Sequence, residues 1–178
     1  MKYPTKTIEV WAQDEGRIGL KPLTRRVWAK RGVRPIAMQK RGFKWLHVYA
    51  FVHPKTGKSA FWIISHVDLV CMEVALQEFK QEIDPDNQKI IILLLDNAGW
   101  HSSKNLVIPE GIVLEFIPAY TPELSPAEGV MPLLHEAVAN ECFTCIDDVE
   151  RVLDERCVYL MGNPDVVRGG SGYSWASL

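Results

Sequence analysis

The sequence predicts a single α/β domain in which helices cover a mixed β-sheet. In the first third of the chain, short apolar segments separated by turn residues predict an antiparallel meander. A continuous apolar run at residues 90–95 predicts a strand buried on both faces, and helical patterns with capping residues precede and follow it. The chain of 178 residues, 47% of them hydrophobic, is long enough to form one core.

Five strands are expected before residue 65. Residues 15–16 form a turn between the first two strands, and residues 53–57 form a hairpin turn between the last two. Gly32 and Pro35 close the segment that lies between these pairs. The predicted strands are residues 7–13, 17–20, 25–30 (a short strand or an extended segment), 43–52 and 58–64.

Three helices and two further strands are expected after residue 65. Asp68 caps the first helix, and Thr144 caps the third, which Gly162 and Pro164 end. Pro132 should kink or restart the second helix because proline has no amide donor. The predicted helices are residues 69–83, 126–140 and 145–162, and the predicted strands are 90–95 and 113–117. The apolar stripe of the first helix is expected to consist of Val70, Val74, Leu76 (or Gln77) and Phe79.

This order of elements favours a ribonuclease H-like fold. Its early strands form an antiparallel meander, and its later strands add in parallel beside the first one. In that topology the end of strand 7–13 lies next to the end of strand 90–95. Asp14 and Asp96 directly follow these two strands, so we expect them to be neighbours.

Three acidic residues, here called the acidic triad, carry the predicted chemistry. Asp14 and Asp96 follow apolar strands, and Glu128 opens a helical pattern. Clustered carboxylates repel one another and take up protons unless a cation neutralises them. Two Mg²⁺ or Mn²⁺ ions, about 3.5–4 Å apart in sites of this type, would neutralise the triad and support phosphoryl transfer at a phosphodiester.

Each acid also has a purely structural interpretation. Asp14 can begin a turn, and Asp96 with Asn97 can form a strand-end turn through local hydrogen bonds. Glu128 ends an S-x-x-E capping box, in which its side chain bonds back to the amide of Ser125. We favour a functional site because the predicted fold brings the three acids together.

Charge is unevenly distributed along the chain. The net charge is −2, whereas nucleic-acid-binding proteins are usually basic overall. Every charged residue in the segment 17–44, here called the basic segment, is nevertheless basic, and acids dominate from 110 to 155. Such a segment beside a cation site suits a bound polyanion, although solvated hairpin faces explain it equally well. The candidate DNA contacts are Arg25, Arg26, Lys30, Arg31, Lys40 and Arg41.

The sequence gives no sign of a membrane or secreted protein. No apolar run reaches the roughly 18–20 residues of a membrane-spanning helix, and the first residues do not resemble a signal peptide, so a cytoplasmic location is expected. Cys142 and Cys145 form a C-x-x-C pair, but a structural zinc site needs a second pair or suitably spaced histidines. With Cys71 and Cys157 scattered elsewhere, free thiols are expected, and metal or redox use is the alternative.

Several segments resemble bacterial insertion-sequence transposases of the mariner-like superfamily. Residues 95–101, Leu-Asp-Asn-Ala-Gly-Trp-His, are similar to the segment that opens with the second Asp of that family. Residues 117–128, Ile-Pro-Ala-Tyr-Thr-Pro-Glu-Leu-Ser-Pro-Ala-Glu, are similar to its proline-rich run ending in the last acid. The pair Asp14-Glu15 resembles the first Asp-Glu of the family, and residues 25–29 the segment after it. The resemblance covers nearly the whole chain.

The resemblance implies that residues 1–178 form one DDE catalytic domain. Asp14, Asp96 and Glu128 would hold two Mg²⁺ (or Mn²⁺) ions for strand cleavage by water and strand transfer by a 3′-hydroxyl. The partners would be transposon-end and target DNA, and the active form would be a homodimer. His101 would lie near the site in a supporting or DNA-contacting role, because hard cations prefer oxygen ligands.

Two departures from the family pattern affect these expectations. Such transposases carry an N-terminal helix-turn-helix region, which we expect to be absent here or supplied by a separate subunit. The family also has a Trp three residues after its last acid, where this chain has Met131 followed by Pro132. This change is expected to loosen the helix that bears Glu128. The alternatives are a nuclease without strand transfer and an inactive remnant that binds DNA or partner subunits.

Overall fold

A computed structural model describes residues 6–36, 38, 42–96, 105–118 and 121–176 of the chain. In this part of the chain, one mixed sheet has the strand order β3-β2-β1-β4-β5. The first three strands are antiparallel neighbours, whereas β4 runs parallel to β1 and β5 runs parallel to β4. The strands are β1 (Thr7–Gly19), β2 (Trp45–Val52), β3 (Ser59–Ile64), β4 (Lys89–Leu95) and β5 (Ile112–Phe116). This topology confirms the predicted ribonuclease H-like fold.

Helices pack on both faces of the sheet and define two hydrophobic cores. One core joins Trp11 and Phe51 of the sheet to Phe79 of the first helix. The other joins Ala12 and Val48 to buried side chains of the second and third helices. The helices are α1 (Leu69–Ile83), α2 (Met131–His135), α3 (Ile146–Gly162) and α4 (Pro164–Ser171). None of the helices in the described ranges has the length and apolar character required to cross a membrane.

The first strand is longer than predicted, because the expected turn at residues 15–16 does not form. Glu15 and Gly16 instead pair with Tyr49 and Val48 of β2, and the strand continues to Gly19. Gly16 serves a packing role, since a Cβ at this position would lie 2.6 Å from the Sδ atom of Met131. The long partner strand thus overrides a local turn signal.

Residues 25–30 form no strand. Leu23 makes an isolated parallel bridge to Ala139, and the residues that follow have no regular secondary structure. The predicted short strand is therefore wrong, and the alternative of an extended segment stays a prediction. The side chains of residues 25–30 are exposed, including the large apolar side chain of Trp28, which is 103% exposed.

The bounds of α1 are as predicted, and its predicted apolar stripe is correct at Leu76 and Phe79 but wrong at Val70 and Val74. Asp68 caps the helix, and its Oδ1 accepts a hydrogen bond from the amide of Cys71 at 2.7 Å. Val70 and Val74 are exposed, and Phe79 stacks on Phe51 with ring centroids 4.4 Å apart. This contact fixes the rotation of the helix. The buried residues of α1 are Met72, Ala75, Leu76, Phe79 and Ile83.

The region predicted as one helix from 126 to 140 is divided into turns and a short helix. Residues 126–130 form turns, and α2 begins at Met131 with Pro132 in its first turn. A proline is well tolerated there because the first amides of a helix lack partners. Cys145, rather than Thr144, is the N-cap residue of α3. The helix ends at Gly162 as predicted, but Pro164 then starts α4, which was not predicted.

Candidate active site

Strand alternation places Asp14 on the sheet face that α2 and α3 cover. Ala12 belongs to the core on that face, and side chains two residues apart on a strand share a face. Leu94 of β4 packs against the same core, and Asp96 lies two residues further along the chain. The two aspartates therefore leave the sheet on the same side.

The register between β1 and β4 brings these aspartates level with one another. The last parallel pair joins Ala12 of β1 to Leu94 of β4. Asp14 and Asp96 each lie two residues beyond this pair. The prediction that the strand ends before Asp14 is wrong. Asp14 lies inside β1 and pairs with Ala50 of β2. What ends beside Asp14 is β4, whose last residue is Leu95.

Glu128 lies in the turns that lead into α2. Its amide donates a hydrogen bond to the carbonyl oxygen of Ser125 at 3.2 Å, while its neighbour Ala127 is fully buried. Gly129 is in close backbone contact with α4, since a Cβ there would lie 2.0 Å from the carbonyl oxygen of Gly170. These contacts fix the backbone on both sides of Glu128, and Glu128 itself is exposed.

Electrostatic coupling links the three members of the acidic triad. Burial, together with the negative charges of Glu128, Glu15 and Asp96, raises the pKa of Asp14 from its ordinary value of 3.8 to about 7. The amide of Glu15 donates to Asp14 Oδ1 at 2.9 Å and opposes this shift. A carboxyl group that burial and neighbouring carboxylates keep partly protonated at neutral pH is one whose charged form a cation would stabilise.

The three carboxylates of the triad do not form a compact cluster of ligand atoms in this structure. Within the described ranges, three potential ligand atoms lie within 4.8 Å of one another only at His66, Asp68 and Cys71. The donors of the triad are all carboxylate oxygens, which suit hard cations such as Mg²⁺ and Mn²⁺. The donor set and the raised pKa of Asp14 therefore fit a divalent ion.

The predicted DNA contacts differ in their surroundings. Arg25 is docked on α2, where its guanidinium donates to the Pro132 carbonyl oxygen at 3.0 Å and pairs with Glu136 at 3.4 Å. Its contacts therefore indicate a structural role. The remaining candidates in the described ranges are exposed, namely Arg26, Lys30 and Arg31. The other three candidates, Lys40, Arg41 and His101, lie outside the described residues.

Sequence reasoning missed a second arginine that supports α2. Arg156 of α3 donates to the carbonyl oxygen of Leu133 at 2.8 Å and to Glu136 at 2.9 Å. Together with Arg25, it binds carbonyl groups of a helix that is only five residues long. The two arginines hold α2 in place, directly after the segment that carries Glu128. No local sequence signal indicates these contacts, because the partners lie 20 or more residues apart.

Comparison with known proteins assigns the family. A family model described as "DDE superfamily endonuclease" matches residues 9–150. The chain belongs to this family. An uncharacterized protein of Sinorhizobium fredii, y4pE/y4sA, is 32% identical over 106 residues, which are 59% of this chain and 77% of the relative.

Solved structures of mariner transposase and retroviral integration complexes have a fold similar to that of this member of the DDE superfamily. The Mos1 mariner paired-end complex with Mn matches with a TM-score of 0.62 at 17% identity, over 93% of this chain and 56% of that chain. The pre-cleavage Mos1 transpososome gives a TM-score of 0.61 with the same identity and coverage. The intasome of simian T-cell lymphotropic virus gives 0.53 at 11% identity, over 86% of this chain and 48% of that chain. The chain thus spans little more than half the length of the Mos1 chains.

Proposed function

We propose that the chain is the catalytic domain of a DNA transposase, which cleaves phosphodiester bonds at insertion-sequence ends and transfers the resulting strand. The observation that carries this proposal is the coupling of Asp14 to Asp96 and Glu128 on one side of the sheet. Membership of the DDE superfamily of endonucleases supports the same chemistry. Asp14, Asp96 and Glu128 are the proposed catalytic residues.

Two divalent cations, Mg²⁺ or Mn²⁺, are the proposed cofactors. The all-oxygen donor set supports them, as do the solved Mos1 complexes with Mn and with Mg. When bound, such ions activate the attacking oxygen and stabilise charge on the leaving oxygen. The chain's own contribution is positional, because β1 and β4 hold the two aspartates level while the turns before α2 present Glu128. Asp14 must also release its proton to act as a ligand.

DNA is the proposed partner, in the form of transposon ends and target. The exposed cations Arg26, Lys30 and Arg31 support this, since phosphate contacts dominate affinity for DNA. A helix-turn-helix region would recognise the ends, and a homodimer would pair them. The paired-end arrangement named for the Mos1 complexes supports the dimer.

A strand-transfer assay tests the proposal. Pre-cleaved and intact duplexes taken from the DNA that flanks the coding sequence would be incubated with a target plasmid and Mg²⁺ or Mn²⁺. We expect metal-dependent cleavage and joined products, both lost in Asp14→Asn, Asp96→Asn and Glu128→Gln. Cleavage without joining would instead identify a nuclease, and DNA binding without either reaction would identify an inactive remnant. Cleavage that persists in all three variants would overturn the assigned site.

A further inference from the structure

A second group of ligating side chains lies far along the chain from the acidic triad, at the connection between β3 and α1. It consists of His66, Asp68 and Cys71, and one ligand atom from each lies within 4.8 Å of the other two. Asp68 and Cys71 occupy the N-cap and the first turn of α1, and His66 precedes them in the loop. The group is reached from solvent, because His66 and Asp68 are exposed and Cys71 is half-buried.

The distances from His66 to the other two members of this group are close to those of a tetrahedral zinc site. His66 Nε2 lies 3.2 Å from Asp68 Oδ2 and 3.8 Å from Cys71 Sγ. Zinc bonds of about 2.0–2.1 Å to nitrogen and oxygen and about 2.3 Å to sulfur, at tetrahedral angles, separate these ligand pairs by roughly 3.3 and 3.6 Å. These two distances therefore need to change by only a few tenths of an ångström for the ligand atoms to share one ion, and the ligand atoms of Asp68 and Cys71 lie within 4.8 Å of each other.

Neighbouring groups orient two of the three ligands. The hydroxyl of Ser65 lies 3.0 Å from His66 Nδ1, which leaves Nε2 as the ligating nitrogen. Asp68 uses Oδ1 to accept the amide of Cys71 at 2.7 Å, and its Oδ2 faces His66. Hydrogen bonds of this type to the non-ligating atoms of His and Asp are a general feature of metal sites.

A buried hydroxyl without a partner among the described residues lies in the core against which Cys71 packs. Tyr49 is fully buried, and within the described ranges its hydroxyl has no hydrogen-bond partner, which is costly for a buried polar atom. Burial raises the pKa of this hydroxyl, and the charges of Glu15, Cys71 and Asp68 add to the shift.

We propose that His66, Asp68 and Cys71 form a zinc site with three protein ligands and a solvent-facing fourth position. A thiolate, an imidazole and a carboxylate favour Zn²⁺ or Co²⁺ over Mg²⁺. On binding, the thiol proton of Cys71 passes to solvent and a sulfur–metal bond forms. The ion joins the loop after β3 to the first turn of α1 and thereby stabilises the folded chain. This site does not depend on the proposed function.

Titration with Co²⁺ tests the site in the whole chain. We expect one equivalent of Co²⁺ to produce a thiolate charge-transfer band and the strong visible bands of tetrahedral cobalt, both abolished by added Zn²⁺ and unaffected by excess Mg²⁺. Cys71→Ser should remove the charge-transfer band. Asp68→Asn keeps a good N-cap residue and should weaken Co²⁺ binding by about tenfold or more.

Two controls separate this site from other ligands on the chain. The double variant Cys142→Ser/Cys145→Ser removes the exposed C-x-x-C pair and should retain the full cobalt spectrum. Asp14→Asn removes a member of the acidic triad and should also leave the spectrum unchanged. The proposal is overturned if wild-type protein gives no charge-transfer band at one equivalent of Co²⁺. It is equally overturned if the band survives Cys71→Ser and is lost in the Cys142/Cys145 variant.

Discussion

Asp14 is the residue at which the properties of the candidate active site converge. It lies inside β1, level with Asp96. Burial and neighbouring negative charges raise the pKa of its carboxyl group to about 7. A position that destabilises a negative charge in the free protein is well suited to attract a cation. The site is therefore expected to cost stability until a metal ion binds.

This cost should depend on pH in a predictable direction. The folded chain keeps the Asp14 proton up to about pH 7, whereas the unfolded chain releases it near the ordinary pKa of 3.8. Metal-free protein therefore loses stability from this group as the pH rises between those values. We expect Asp14→Asn to raise Tm, by an amount that grows from about pH 4 to pH 7 and then levels off.

Thermal unfolding in chelator across this pH range measures the effect. Glu78→Gln, on the exposed side of α1, is the matched control and should show no such pH-dependent difference from wild type. A difference between Asp14→Asn and wild type that is constant with pH, or that shrinks as the pH rises, would contradict the electrostatic account of the site.

At the scale of elements, the contact between the turns before α2 and helix α4 positions Glu128. There is no room for a Cβ at Gly129, because it would lie only 2.0 Å from the carbonyl oxygen of Gly170. We expect Gly129→Ala to destabilise the chain by about 1–3 kcal/mol, the usual cost of overpacking. Gly169→Ala on the same helix meets no atom within 4 Å and should be neutral or stabilising by up to about 1 kcal/mol.

Urea unfolding of the two glycine variants provides the comparison, and the metal-dependent cleavage assay shows whether Glu128 has moved. Equal stabilities for Gly129→Ala and Gly169→Ala would mean that α4 does not pack against these turns as described.

The contacts of Arg156 with α2 give a second prediction at the scale of elements. Arg156 donates to the Leu133 carbonyl oxygen and to Glu136, and its side chain is 20% exposed. Its removal should cost about 1.5–3 kcal/mol, the range for hydrogen bonds to charged groups. Arg151 lies on the same helix and pairs with Glu155, but its side chain is 64% exposed. Removing that exposed pair should cost only about 0.3–0.5 kcal/mol.

Arg156→Ala and Arg151→Ala can be compared by denaturant unfolding. Similar losses in the two variants would show that Arg156 contributes no more than a surface ion pair.

Local patterns predicted some elements correctly and failed where distant partners decide the outcome. The hairpin after β2, the bounds of α1 and the apolar strand β4 follow from turn residues, a cap and a continuous apolar run. The length of β1 does not, because Glu15 and Gly16 carry a local turn signal that pairing with β2 overrides. The rotation of α1 likewise depends on the stacking of Phe79 on a distant strand.

At the scale of the whole molecule, topology explains how two members of the acidic triad become neighbours. Parallel addition of β4 beside β1 places Asp14 and Asp96 level with each other, although 81 residues lie between them in the chain. Their neighbouring positions could be predicted, because each aspartate directly follows an apolar run, whereas their role as metal ligands stays a prediction. The support of α2 by Arg25 and Arg156 could not be predicted, since only the folded chain brings α3 and the basic segment to that helix.

Met131 shows how the molecule accommodates a departure from the family pattern. The sequence suggested that a methionine at this position would loosen the segment bearing Glu128. In the structure Met131 is buried, and its Sδ atom packs closely over Gly16 on the strand that carries Asp14. This contact links the elements that carry the first and last acids, and Pro132 starts α2 rather than interrupting it.

The central claim is that Asp14, Asp96 and Glu128 together bind divalent cations. The most direct measurement is an anomalous difference map from crystals of the chain grown with Mn²⁺. The account predicts at least one Mn²⁺ peak in contact with the carboxylate of Asp14 and with that of Asp96 or Glu128. A map with ordered Mn²⁺ at other sites and none against these three carboxylates would contradict it.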